Sequence, residues 1–231
     1  MKLVLEFTKT GNLIYISHLD LSRLFLRVFR MAGIRPSYSC GFNPHPRMSF
    51  TMPLPLGLHS ICELLEFETD EIKDPAEIPQ AVKRVNERLP EGARVVSWYE
   101  KPDSVRKSLA SYVSSASYEF MCEGIMNAPA LLEAFFKRDS VIVKKYDKQK
   151  GREVDKEVRS EMLSYSIIKD IRGRMLAEAT LSAKPGQTLN PLVFFRAFCE
   201  AAACAEGALT PIITRTAIQK IDGKAIIELL K

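Results

Sequence analysis

No run of about 18 apolar residues occurs anywhere in the 231-residue chain, which excludes a membrane-spanning helix. The first residues, MKLVLEFTKTG, lack the apolar centre of a secretory signal and alternate like a strand instead. Cysteine is sparse and odd in number. Cys40, Cys62, Cys122, Cys199 and Cys204 contain no CxxC pair, which argues against a structural zinc site or a disulfide framework and for buried thiols in a reducing compartment. A glycine-rich phosphate loop, a GxSxG elbow and an HExxH helix are also missing, so nucleotide hydrolysis, acyl transfer and zinc proteolysis have no support. These absences lead us to expect a cytoplasmic protein with no membrane association, no metal and no cofactor.

What is present fits an ordinary globular chain. Hydrophobic residues make up 46% and charged residues 26%, and the length suits two domains of about 100 residues each. The net charge of +5 is unevenly placed. Residues 1–50 hold seven Lys/Arg against Glu6 and Asp20, residues 51–100 are acidic by five charges, and residues 137–174 are again basic by five. Two basic regions of this kind suit a polyanion such as RNA, with a solvated mixed-charge surface as the alternative.

Taken in order, Leu3, Leu5 and Phe7 alternate as a strand, Thr10-Gly11-Asn12 turns, and Leu13 and Tyr15 continue the pattern. Ser17 suits the N-cap of a helix and Asp20 its N3 position, a capping box with Asp in place of Glu; Gly33 stops that helix. Leu21, Leu24, Phe25, Val28 and Phe29 cover one side, while Asp20, Arg23, Arg27 and Arg30 share the other. Then comes the stiff Gly41-Phe-Asn-Pro-His-Pro46, rich in turn formers and able to hold Phe42 and His45 still. Strands are expected at 48–52 and 61–67, a helix from Asp74-Pro75 to about Leu89, and a strand at 94–99.

That order, βαββαβ, recurs after a polar stretch. Expected are a strand at 118–122, a helix at 128–137, a strand at 141–146, a charged stretch over 147–161, strands near 163–168 and 175–181, a helix at 191–203 capped by Asn190, and a closing strand at 212–221. The fold class expected is α+β with two tandem ferredoxin-like (βαββαβ) units. The first spans 1–103, a linker spans 104–115, and the second spans 116–231 with a charged hairpin insertion.

The run SHLDLSRLFLRVFRMAGIRPSYSCGFNPHPRMSFTMPLPLGLHS, about residues 17–60, strongly resembles the signature of the radical SAM-linked protein family. This is a bacterial domain of unknown function, found alone or fused C-terminal to a radical SAM protein. The resemblance implies association with a radical SAM partner and, by that company, RNA processing or translation; it assigns no catalytic residue. A radical SAM enzyme holds its cluster with a CxxxCxxC loop, and no cysteines here are so spaced, so any radical chemistry belongs to another chain. The closest pair, Cys199 and Cys204, falls in an apolar helix and reads as core. Two ferredoxin-like units in tandem also resemble the RAMP proteins that process CRISPR RNA, a likeness of architecture only.

Three readings of function follow. The leading one is a non-catalytic RNA-binding protein that presents tRNA or rRNA to the radical SAM partner. Its contacts would be Arg23, Arg27, Arg30, Arg35 and Arg47, with Phe42 and Asn43 in the loop and Lys144, Lys145 and Lys148 in the charged hairpin. Tyr38 is a further stacking candidate. The alternative for the arginines is pairing with the acidic segment 63–77, and for the lysines, protection of a strand edge. The second reading is a metal-independent endoribonuclease using His45 with His18, which requires helix and loop to bring both imidazoles to one end of the first unit. His59 reads as a loop residue. The third makes the helix-and-loop face a docking surface for the partner protein without RNA.

Overall fold

The computed structural model describes residues 1–125, 127–147, 151–171, 174–202 and 211–231. It is an α+β structure that divides into two compact units, Met1–Val113 with Lys220–Lys231, and Ser114–Gln219. Among the described residues no helix is long and apolar enough to cross a membrane.

In the first unit, strand β1 (Lys2–Lys9) turns Leu3, Leu5 and Phe7 inward. The chain does not continue as strand beyond it. Residues Gly11–Tyr15 coil into a 3-10 turn, with Leu13 N–H donating to the Thr10 carbonyl at 3.2 Å and Ile16 N–H to the Leu13 carbonyl at 3.2 Å. Helix α1 (His18–Ala32) follows. Asp20 N–H donates to Ser17 Oγ at 3.1 Å, and the Ser17 hydroxyl donates to Asp20 Oδ2 at 2.7 Å, so the shorter Asp side chain returns to the cap's hydroxyl. Gly33, at φ 71°, ends the helix in the left-handed region, and Ile34 N–H reaches back to the Phe29 carbonyl at 2.9 Å.

Strand β2 (Met48–Phe50) is short and gives way before Pro53. Strand β3 (His59–Glu68) is long, and Asp74 caps a 3-10 turn (Pro75–Glu77) that leads into helix α2 (Ile78–Asn86). Strand β4 (Ala93–Glu100) completes the set, in the strand order β2-β3-β1-β4 with antiparallel neighbours throughout. The core lies between this sheet and the two helices: Phe7 meets Phe25 at 4.7 Å between ring centroids, and Phe29 stacks on Phe67 at 4.6 Å. Arg84 Nε donates to the Ala32 carbonyl at 2.8 Å, giving an α1 terminal carbonyl a partner. Gly92, at φ 92°, accepts Thr10 N–H at its carbonyl at 2.8 Å, and a Cβ there would collide with the Thr10 carbonyl oxygen.

Strand alternation sends Lys2, Glu6, Ser49, Glu66 and Glu68 to the face away from the helices. Glu66 anchors the segment that follows β4. It accepts Lys101 Nζ at 2.5 Å, the Ser108 hydroxyl at 2.8 Å and Leu109 N–H at 2.6 Å, and Leu109 is fully buried. Ile226 and Leu230 of a closing 3-10 turn (Ile226–Leu230) are also buried.

The second unit has strands β5 (Ser115–Glu123), β6 (Ile142–Asp147), β7 (Arg152–Glu157), β8 (Met162–Ile171), β9 (Arg174–Lys184), β10 (Gln187–Thr188) and β11 (Ile212–Gln219). Helices α3 (Ala128–Phe136) and α4 (Pro191–Ala201) complete it, the latter capped by Asn190, whose Oδ1 accepts Leu192 N–H at 2.8 Å. β9 lies between β5 and β8, and β5 also pairs β11. Ser114 N–H donates to the Gln219 carbonyl at 2.9 Å, so the two ends of this unit lie side by side. Its core is aromatic, with Phe120, Phe135, Phe194, Phe195 and Phe198 buried together. β6 and β7 form a separate two-stranded ribbon drawn from the charged stretch.

Candidate functional site

Residues 36–47 do not hang loosely between α1 and β2. Pro36 bridges Thr69, Tyr38 bridges Pro46, and Ser39 N–H donates to the His45 carbonyl at 2.9 Å, so the segment folds as a small antiparallel finger. Three contacts of His45 fix its neck. His45 N–H donates to Ser39 Oγ at 3.0 Å, and His45 Nδ1 lies 3.0 Å from the same oxygen and 3.4 Å from the Asn43 carbonyl. The ring's orientation is thereby set with Nδ1 engaged and Nε2 free of those contacts. Phe42 stands at the tip with 112% relative exposure, so the protein covers none of it. Asn43 and Pro44 are exposed beside it, and so is Cys40, against the expectation of buried thiols, because the finger has no second layer over it. Cys62 and Cys199 are half-buried, and Cys204 lies outside the described residues.

The arginines part company. Arg47 Nη1 lies 2.7 Å from Glu68 Oε2, and that hydrogen bond pushes its pKa above the usual value. Arg35 Nη2 lies 3.3 Å from Glu71 Oε1. Arg23 pairs with Asp20 one turn back at 3.2 Å, an exposed contact of small energetic weight. Arg27 and Arg30 are exposed on α1 and have no carboxylate partner among the described residues. The acidic segment thus takes up the two arginines that flank α1 and leaves the helix face itself cationic. Tyr15, Leu19, Met31 and Tyr38 are exposed large apolar side chains of the same region of sequence.

The two imidazoles are not brought together. His18 opens α1 and packs its ring edge-on against Phe50 at 5.2 Å, and Phe50 faces the helices. His45 lines a cleft of about 290 Å³ with Lys2, Arg47, Ser49, Glu66 and Lys101, and His18 is not part of its wall. Alternation along β2 puts Phe50 and Ser49 on opposite faces of the sheet, which separates the surroundings of the two rings. Half-buried His59 begins β3. The cleft itself was not foreseen from sequence, since Lys2 and Lys101 reach it from opposite ends of the unit.

The charged hairpin is less basic than its lysines suggest. Lys144 stands opposite Asp155 and Tyr146 opposite Glu153, while Lys145 faces Val154. Lys144 and Lys145 are exposed, and Lys148 lies outside the described residues.

The first unit, α+β and ordered β-α-β-β-α-β, thus carries a cationic helix face and an aromatic finger fixed by Ser39 and His45. Residues 2–191 match the family described as "Uncharacterized protein conserved in bacteria (DUF2344)", and the chain belongs to it. No curated protein matches the chain. Among solved structures it is similar to a chain of the crystal structure of a Cbf5-Nop10-Gar1 complex, at a TM-score of 0.49 and 8% identity over 94% of this chain. The match covers 48% of that chain, so the present protein spans about half its length.

Proposed function

We propose that this protein binds RNA, either tRNA or rRNA, through the exposed face of α1 and the finger at 36–47, and presents it to a radical SAM partner without reacting with it. The observation that carries this reading is Phe42: a fully uncovered aromatic ring on a finger pinned at its neck, following a helix whose Arg27 and Arg30 have no carboxylate partner among the described residues. Stacking on an aromatic ring and guanidinium contacts to phosphate are the two means by which single-stranded or looped RNA is gripped. The partner is supplied by the resemblance of residues 17–60 alone. The strand orders β2-β3-β1-β4 and β8-β9-β5-β11 support reading both units as ferredoxin-like, with β6 and β7 as the insertion.

A mobility-shift titration with tRNA at roughly 100 mM salt tests the reading. Binding is expected, and replacing Arg27 and Arg30 by Ala should lower it and flatten the salt dependence by about 1.4 in log–log slope, two phosphates' worth. No shift, or one indifferent to both substitutions, overturns it. The exposed Leu19, Met31 and Tyr38 favour a second reading, a docking face for the partner protein. Nuclease-resistant co-purification lost in Phe42→Ala, with no RNA shift, would establish that one instead.

A further inference from the structure

Lys2, Ser49, Glu66, Glu68 and Lys101 lie outside the proposed RNA-binding face, and with His45 and Arg47 of the finger they line one cleft. We infer that it is a subsite for one backbone phosphodiester of a single-stranded RNA whose neighbouring base stacks on Phe42; this rests on the RNA-binding reading above. Three cations (Lys2, Arg47, Lys101) and two carboxylates (Glu66, Glu68) surround the cleft. Both carboxylates are engaged: Glu68 by Arg47 at 2.7 Å, and Glu66 by Lys101, Ser108 and Leu109 at 2.5, 2.8 and 2.6 Å. Lys2 stands opposite Glu68 in the β1–β3 ladder, yet no ion pair holds it among the described residues. The balance is one positive charge, which matches a phosphodiester monoanion and not the multiple charges of a nucleoside triphosphate.

Neutral donors complete the site. With the Ser39 hydroxyl donating to His45 Nδ1, the neutral ring carries its proton on Nε2 and presents it to a ligand, and Ser49 adds a hydroxyl to the wall. The size suits a sugar-phosphate segment, being at the small end of ligand pockets. His45 lies three residues along the chain from Phe42, a span of at most about 10 Å. That distance is one to two nucleotides of an extended strand, so a base on Phe42 and a phosphate in the cleft belong to adjacent positions of one chain.

The test is fluorescence anisotropy with the full-length protein and a short labelled oligouridylate, comparing wild type with Lys2→Gln, His45→Ala and an Arg27→Ala/Arg30→Ala control, each checked by thermal melting. Lys2→Gln and His45→Ala are each expected to weaken binding about tenfold. An oligouridylate carrying one neutral methylphosphonate linkage, moved along the strand, should lose a similar factor at a single position, and that loss should vanish in Lys2→Gln. Wild-type affinity in both cleft variants, alongside a loss in the arginine control, overturns the subsite and leaves the RNA-binding reading standing. Absence of binding by wild type overturns both.

Discussion

Glu66 and Lys101 meet at 2.5 Å, each side chain only 10% exposed, and together they tie the segment after β4 to the sheet. The carboxylate also serves Ser108 and Leu109, so its loss takes an acceptor from three donors at once and leaves Lys101 only the Lys107 carbonyl at 2.8 Å.

Glu66→Ala is expected to cost about 3–5 kcal/mol, the range for removing one partner of a buried pair and leaving the other charged. Urea unfolding measures it; a loss below about 1 kcal/mol would mean that the segment is not held by this carboxylate.

The N-cap of α1 makes a pH prediction. The Ser17 hydroxyl's hydrogen bond holds the Asp20 carboxyl below its ordinary range, with lesser help from Arg23. A depressed folded-state value means the contribution is present above the unfolded pKa and is lost as pH falls through the folded one. In Ser17→Ala, Asp20 should titrate nearer the ordinary value and the helix should lose about 1 kcal/mol. Carboxyl-detected NMR follows the titration, and an unmoved Asp20 contradicts the assignment.

Gly92→Ala should destabilise by about 2 kcal/mol or more, because a positive φ and a carbonyl oxygen both oppose a Cβ there. A melting curve superimposable on wild type would show that the turn after α2 can relax.

Phe42→Ala separates structure from binding. With nothing packed on the ring, stability should stay within about 0.5 kcal/mol of wild type. Affinity for single-stranded RNA should fall by about 1–3 kcal/mol, one base-on-ring stack. The opposite pattern, a lower Tm with unchanged affinity, would make the ring structural.

Much of the first unit was legible because its signals are local. Ser17, Gly33 and the Leu21–Phe29 spacing specify α1, and period-two alternation specifies β1 and β3. What was not legible depends on register and on distance across the sheet. That Arg47 finds Glu68 while Arg27 finds no carboxylate among the described residues is decided by which face each occupies after folding. Lys144 looks like one of a basic cluster until the β6–β7 ladder sets Asp155 opposite it. His18 and His45 look like a pair because sequence places both beside α1; the face of β2 on which each ring falls is invisible until β2 pairs with β3. Leu13 and Tyr15 continue an alternation that a 3-10 turn also tolerates over so few residues.

Residues 220–231 belong to the first unit although the whole second unit precedes them in the chain. Synthesis therefore delivers the second unit complete before the first receives Ile226 and Leu230, both buried in the finished fold. Since Ser114 and Gln219 are hydrogen-bonded neighbours, joining Val113 directly to Lys220 would yield a first unit continuous in sequence. With the excursion through residues 114–219 removed, loop closure costs less, and this unit should refold faster than it does within the full chain.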